Sequence, residues 1–207
     1  MLEAAIFDAD GTLFDVTALQ HEALSRALAR TGWEIGNRRL SPEMSSAQKL
    51  QALSELRSFP TDWHEEIHLM ESEHLSQVIE ERLQPCPGAR KLLLALLRHG
   101  LGACVVSPMD STQTRGALAR LGLSDLVEGV SQSAWDSLGG FRSGAEAIAT
   151  RVGKCVAIVG GDYAAQRARE SGVMAVVRVA GFQDLHAGVL GDLRRQGIGS
   201  RFAGMML

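Results

Sequence analysis

Residues 4–15 read AAIFDADGTLFD, and the fold turns on how this stretch is read. Four apolar residues with no polar interruption suit a strand buried on both faces, as in parallel sheets. The run stops at two carboxylates, Asp8 and Asp10, with Gly11 directly behind, so the acids fall where strand gives way to turn. Carboxylates two residues apart repel unless a cation or a shared proton lies between them. In open parallel sheets, ligands gather at the carboxyl ends of the strands. The pair therefore predicts a ligand site at the rim of such a sheet.

Outward from this strand, four similar runs recur: LGACVV (101–106), DLVEGV (125–130), CVAIVG (155–160) and VMAVVRV (173–179). Helix-like stretches separate them. GARKLLLALLRHG (88–100) and STQTRGALARLG (111–122) end at glycine; SGAEAIATRVG (143–153) carries Ser143 as candidate N-cap and Gly153 as terminator. This alternation predicts an α/β doubly wound parallel sheet with right-handed crossovers. Residues 16–84 differ: helical spacing appears at Leu19, Ala23, Leu24, Ala27 and Leu28, and again at Leu75, Val78, Ile79 and Leu83, with no convincing strand. They read as a helical insert that re-enters the core through QPCPGAR, whose prolines suit a stiff linker. The expected domains are 1–15 with 85–207, and 16–84.

Several polar residues follow the expected strands and converge on one edge. Ser107 and Asp110 follow the second, Asp136 and Arg142 the third, and Asp162 the fourth. Carboxylates at a shared rim are stable around a hard divalent cation, and Mg²⁺ suits oxygen ligands while keeping waters for a phosphate. Asp8 then serves as ligand and nucleophile, with Asp10 as general acid and base.

FDADGTLFD (7–15) resembles the first motif of the haloacid dehalogenase superfamily. The resemblance extends to PCPGARKLLLALLRHGLGACVVS as linker, helix and second motif, to VAIVGGD as fourth motif, and to the 16–84 insert as a C1-type cap. It implies a Rossmann-like parallel-sheet core with an inserted helical cap that closes over the site, and an aspartyl-phosphate intermediate. Asp8 matches the phosphorylated nucleophile, Asp10 the acid/base whose main-chain carbonyl also ligates metal, Ser107 the phosphate-binding hydroxyl and Asp162 a Mg²⁺ ligand. The second acid, Asp10, marks the phosphatases and phosphomutases of the family rather than its dehalogenases. Two positions depart from the pattern. The lysine of the third motif is absent at Gly139, leaving Arg142 as the nearest cation, although a planar guanidinium does not simply replace an ammonium. Gln166 stands where a further acid of the fourth motif is expected, with Asp110 and Asp136 as loop candidates in its place.

Composition narrows the remaining classes. The 207 residues carry a net charge of -3, giving no basic footprint for nucleic acid. The longest aliphatic run, Leu92–Leu97, is far short of the ~20 residues that span a bilayer. With an acid at Glu3 and the acid pair following at Asp8 and Asp10, no signal peptide is expected at the start of this sequence. Cys86, Cys104 and Cys155 are dispersed and read as reduced thiols, which suits a cytoplasmic location. HEEIH (64–68) matches a zinc-protease pattern with His74 at the third-ligand place, but Glu71 stands where the pattern needs glycine. On a continuous helix His74 lies about 9 Å along the axis from His68, too far for shared ligation. The expected function is a Mg²⁺-dependent phosphatase acting on a small phosphorylated metabolite, as monomer or homodimer, with no nucleic-acid or membrane partner. A sugar phosphomutase, and a catalytically decayed phospholigand-binding protein of the same fold, are the alternatives.

Overall fold

β1 (Ala4–Asp8) is buried along its whole length and pairs in parallel with two neighbours, β2 (Gly102–Ser107) and β4 (Cys155–Val159). The structure, a computed structural model, describes residues 1–34, 44, 46–57, 60–132, 140–179 and 183–198. β3 (Gly129–Gln132) pairs with β2 and β5 (Ala175–Arg178) with β4, giving a five-stranded parallel sheet in the order β3-β2-β1-β4-β5. The chain therefore winds outward from β1 to β3, then crosses back over β1 to β4 and β5. This reversal makes the carboxyl end of β1 the topological switch point, the place where an open sheet leaves a crevice for ligands.

The chain divides into two compact units, Met1–Asp15 with Gln84–Leu207, and Val16–Leu83. The first is α/β. Its helices are α4 (Ala89–Arg98), α5 (Ser111–Arg120), α6 (Gly140–Ala147), α7 (Asp162–Ser171) and α8 (Leu185–Arg195). One sheet face, carrying Ala4, Ile6, Val106, Ala157 and Val159, packs on Phe141 and Ala145 of α6 and on Ala164, Ala165 and Ala168 of α7. The small side chains of α7 let that helix lie close to the strands.

The second unit is helical among its described residues: α1 (Thr17–Arg30), α2 (Ser46–Arg57) and α3 (His64–Arg82), the last preceded by a 3₁₀ turn at Thr61–Trp63. Leu24, Ala27 and Leu28 of α1 bury against Leu50 and Leu53 of α2 and Ile67 of α3, with Trp33 and Met70 packed alongside. Arg82 at the end of α3 reaches Glu22 of α1 at 2.7 Å. The helix bearing His64, His68 and His74 is continuous, and His64 Nε2 hydrogen-bonds Ser54 Oγ.

Two elements depart from the expected boundaries. The third strand begins at Gly129, not Asp125, because Ser124–Leu126 forms a 3₁₀ turn first. α6 starts at Gly140, so Ser143 lies inside it rather than capping it, and it closes before Gly153. Ala149 takes a left-handed φ of 52°, and the Thr150 N–H returns to Ala145 O at 2.9 Å, the type of closure usually built on glycine. No helix among the described residues is long and apolar enough to cross a membrane.

Candidate active site

The turn after β1 is built by its own backbone. Ala9 extends the strand, its N–H donating to Val106 O at 3.0 Å, and Ala9 O then faces the N–H groups of Thr12 and Leu13 at 3.4 and 3.2 Å. Gly11 adopts φ +70° and its N–H donates to Phe14 O at 2.8 Å, a conformation that a side chain would strain. The Thr12 hydroxyl donates to Asp8 O, while Leu13 and Phe14 are fully buried and anchor the turn from below. The acids thus stand on a rigid loop, Asp8 only 6% exposed and Asp10 half-buried.

Ser107 ends β2 one residue beyond the strand partner of Asp8, since Asp8 pairs with Val106. It is 3% exposed, and its Oγ accepts the Met109 N–H at 3.1 Å. A hydroxyl with an acceptor lone pair so occupied still has its proton to donate. Asp8 and Val106 are thus cross-strand partners, about 4.8 Å apart by sheet spacing, and Ser107 is the next residue along β2.

From the other side the β4 loop presses close. A Cβ built on Gly160 would lie 2.7 Å from Asp10 O and 3.2 Å from Gly11 Cα, so only glycine permits this approach. Cys86 lies behind the acids. Its N–H donates to Leu13 O at 2.8 Å, and its thiol is pushed up to about 11, first by burial and then by the charges of Asp15 and Asp10. Cys104 and Cys155 are buried, with thiols pushed up to about 12 and about 11, and all three cysteines are reduced.

The strand ends bring Asp8, Asp10, Ser107 and the start of α7 to one rim, but the Asp162 carboxylate there is engaged by Arg178, and Arg142 is directed elsewhere. Asp162 opens α7, and its carboxylate, 81% exposed, forms an ion pair with Arg178 at the end of β5. Arg142 Nε donates to Ser171 O at 3.3 Å, at the carboxyl end of α7. Nine residues of helix separate Ser171 from Asp162, about 13 Å of rise, which carries the guanidinium away from the strand ends that bear the acids. Lys154 pairs with Glu3 at 2.5 Å, at the amino end of the sheet. Arg178, at the end of β5, is a cation at the carboxyl rim that the sequence did not single out. Its position as the fourth residue of a short apolar run, AVVR, was the available signal.

Asp110 is a helix cap. Its carboxylate accepts the Thr112 and Gln113 N–H groups at 2.7 and 3.4 Å, and the Thr112 bond chiefly holds its pKa below the ordinary aspartate value. Asp136 and Gly139 lie outside the described residues. Among the described residues no three His, Cys, Asp or Glu assemble as a metal-binding group. What the acid turn offers is two aspartates, hard oxygen donors of the type Mg²⁺ takes when substrate oxygens and water complete its shell. It fits a site of that kind rather than a three-carboxylate cage.

A family model described as "Hydrolase: haloacid dehalogenase-like hydrolase" matches residues 2–164. Among solved structures, the chain is similar to CbbY from Rhodobacter sphaeroides in complex with phosphate, with TM-score 0.76, 17% identity, and coverage of 90% of this chain and 89% of that one. It is similar to β-phosphoglucomutase from Clostridium difficile, with TM-score 0.75, 16% identity, and coverage of 99% and 98%. A predicted phosphoglycolate phosphatase from Haemophilus somnus 129pt has TM-score 0.70, 14% identity, and coverage of 86% and 84%. At these identities the likeness is one of fold. No curated protein sequence matches the chain.

Proposed function

Because the chain belongs to the haloacid dehalogenase-like hydrolase family, we propose that it is a Mg²⁺-dependent phosphatase that hydrolyses a small phosphorylated metabolite through phosphorylation of Asp8. The observation that carries this reading is the buried Asp8 carboxylate at the switch point of the sheet, on the strand next to the one that Ser107 ends and two residues before Asp10.

In the first half-reaction an Asp8 oxygen attacks phosphorus and the bond from phosphorus to the ester oxygen breaks. Asp10 gives its proton to the departing alcohol. In the second, Asp10 takes a proton from water as the water oxygen attacks phosphorus. The bond to Asp8 breaks and inorganic phosphate leaves. Ser107 donates its hydroxyl proton to a phosphoryl oxygen, held in that orientation by the Met109 N–H that already occupies its lone pair. Asp8 and Asp10 would hold Mg²⁺, which when bound supplies positive charge against the phosphoryl oxygens and the two acids. The rigid Gly11 turn keeps the acids in fixed register, so little reorganisation accompanies attack.

A second reading, a phospholigand-binding protein of the same fold that has lost turnover, is favoured by one observation: Asp162 is engaged by Arg178 instead of standing with Asp8. The two part in one assay. Phosphate release from p-nitrophenyl phosphate and a panel of sugar and carboxylic-acid phosphates is measured with Mg²⁺, with chelator, and with Asp8→Asn. Turnover that needs both Mg²⁺ and Asp8 supports the phosphatase. A folded chain that binds phosphate yet turns over nothing in the panel supports the second reading.

A further inference from the structure

A groove of about 690 Å³ runs along the α/β unit, and none of Asp8, Asp10, Ser107 or Asp162 lines it. Its floor is one face of α4, where Lys91, Leu94, Ala95 and Arg98 recur at helical spacing. The opposite wall is the start of α8, with Asp184 and the imidazole of His186, which is 5% exposed. The Pro85–Gly88 linker closes one end, tied to α8 by the Leu185 N–H donating to Pro87 O at 2.8 Å. Its volume is in the range of small-molecule sites, which are apolar with a few polar groups.

The charges of the groove are unevenly committed. Asp184, its only carboxylate among the described residues, caps α8 by accepting the Ala187 N–H at 2.9 Å. Arg90 donates to Gly122 O. Lys91 and Arg98, one at each end of the Leu94–Ala95 saddle, have no ion pair among the described residues. Long basic side chains can lay their stems along such an apolar floor and bring their charges to its mouth. An unbalanced positive pair over an apolar trough, on a chain whose net charge is -3, selects for an anion with a hydrocarbon body.

We propose that the groove between α4 and the start of α8 binds a small organic anion, a carboxylate or phosphate head on an apolar body, at a place lined by none of Asp8, Asp10 and Ser107, its Cys86 end backing onto the turn that carries the acids. The head group lies against Lys91 or Arg98, and the body lies over Leu94 and Ala95.

The test is an amide NMR titration of the ¹⁵N-labelled full chain with octanoate, with octylphosphonate, whose carbon–phosphorus bond is not an ester, and with octan-1-ol. The expected result is saturable shifts at Lys91, Leu94, Ala95, Arg98 and His186, with octan-1-ol at least about tenfold weaker and K91E/R98E weakening both anions by at least about tenfold. Binding of either anion in this way supports the site, and the tighter of the two identifies the head group. Shifts confined to Asp8–Gly11, no saturable shifts with either anion, equal binding of the alcohol, or unchanged affinity in the double variant would each overturn the proposal. K91A/R98A serves as the second variant, its fold checked by its amide spectrum.

Discussion

Asp8 and Asp162 are both aspartates at strand ends, yet their surroundings separate them. Asp8 is 6% exposed, whereas the Asp162 carboxylate is 81% exposed and paired with Arg178. If Asp8 is the nucleophile, Asp8→Asn lowers kcat by more than about 10⁴-fold. Asp10→Asn, which removes the proton carrier, lowers it by about 10²–10⁴-fold. Ser107→Ala costs about 10²-fold, the loss of one oriented donor. Asp162→Asn, which breaks an exposed ion pair, changes kcat/KM by less than about fivefold. Steady-state kinetics on one substrate ranks all four, and an Asp162 variant as damaged as the Asp8 variant would contradict the separation drawn between them. At this scale the sequence was legible where chemistry and backbone coincide: DADGT names its own turn. It was not legible at Arg142, because the direction of a long side chain is set by what its helix packs beside, here the end of α7.

At the scale of elements, α6 and α5 offer contrasting tests. Gly144 lies inside α6, where alanine is favoured over glycine by up to about 1 kcal/mol in propensity. A Cβ there would meet Val106 Cγ2 at 2.8 Å and Ile6 Cγ2 at 3.2 Å, both in the sheet core. Overpacking costs about 1–3 kcal/mol and outweighs the propensity. Gly144→Ala therefore lowers the denaturation midpoint, measured by urea titration. Asp110→Ala removes the α5 cap, worth about 1 kcal/mol at neutral pH. The folded pKa of Asp110 lies below its unfolded value, so this stabilisation is complete above the unfolded pKa of about 3.9 and fades as pH falls through the folded pKa. Melting curves of the two proteins should differ at pH 7 and converge at the acid extreme. Helices with a glycine stop, such as α5, were readable to within two residues; α6 was not, because its left-handed closing residue is Ala149.

For the whole molecule, the parallel sheet could be anticipated because β1, β2, β4 and β5 read as short apolar runs and a helix separates each strand from the next between β2 and β5; β3, GVSQ, is the strand least marked by its composition. The exception in spacing, the helical Val16–Leu83 unit after β1, was equally visible as a long stretch of helical period without a strand. What the sequence did not reveal is which rim carboxylate is taken up by an ion pair, since that depends on the cross-strand neighbour β5 supplies to β4. The central claim is that Asp8 carries the phosphoryl group during turnover. The most direct measurement is acid-quenched peptide mass spectrometry of the enzyme, caught while hydrolysing p-nitrophenyl phosphate with Mg²⁺. A phosphate mass is expected on the peptide containing Asp8, lost in Asp8→Asn; sustained phosphate release with no modification of that peptide, or undiminished in the variant, would contradict this role of Asp8.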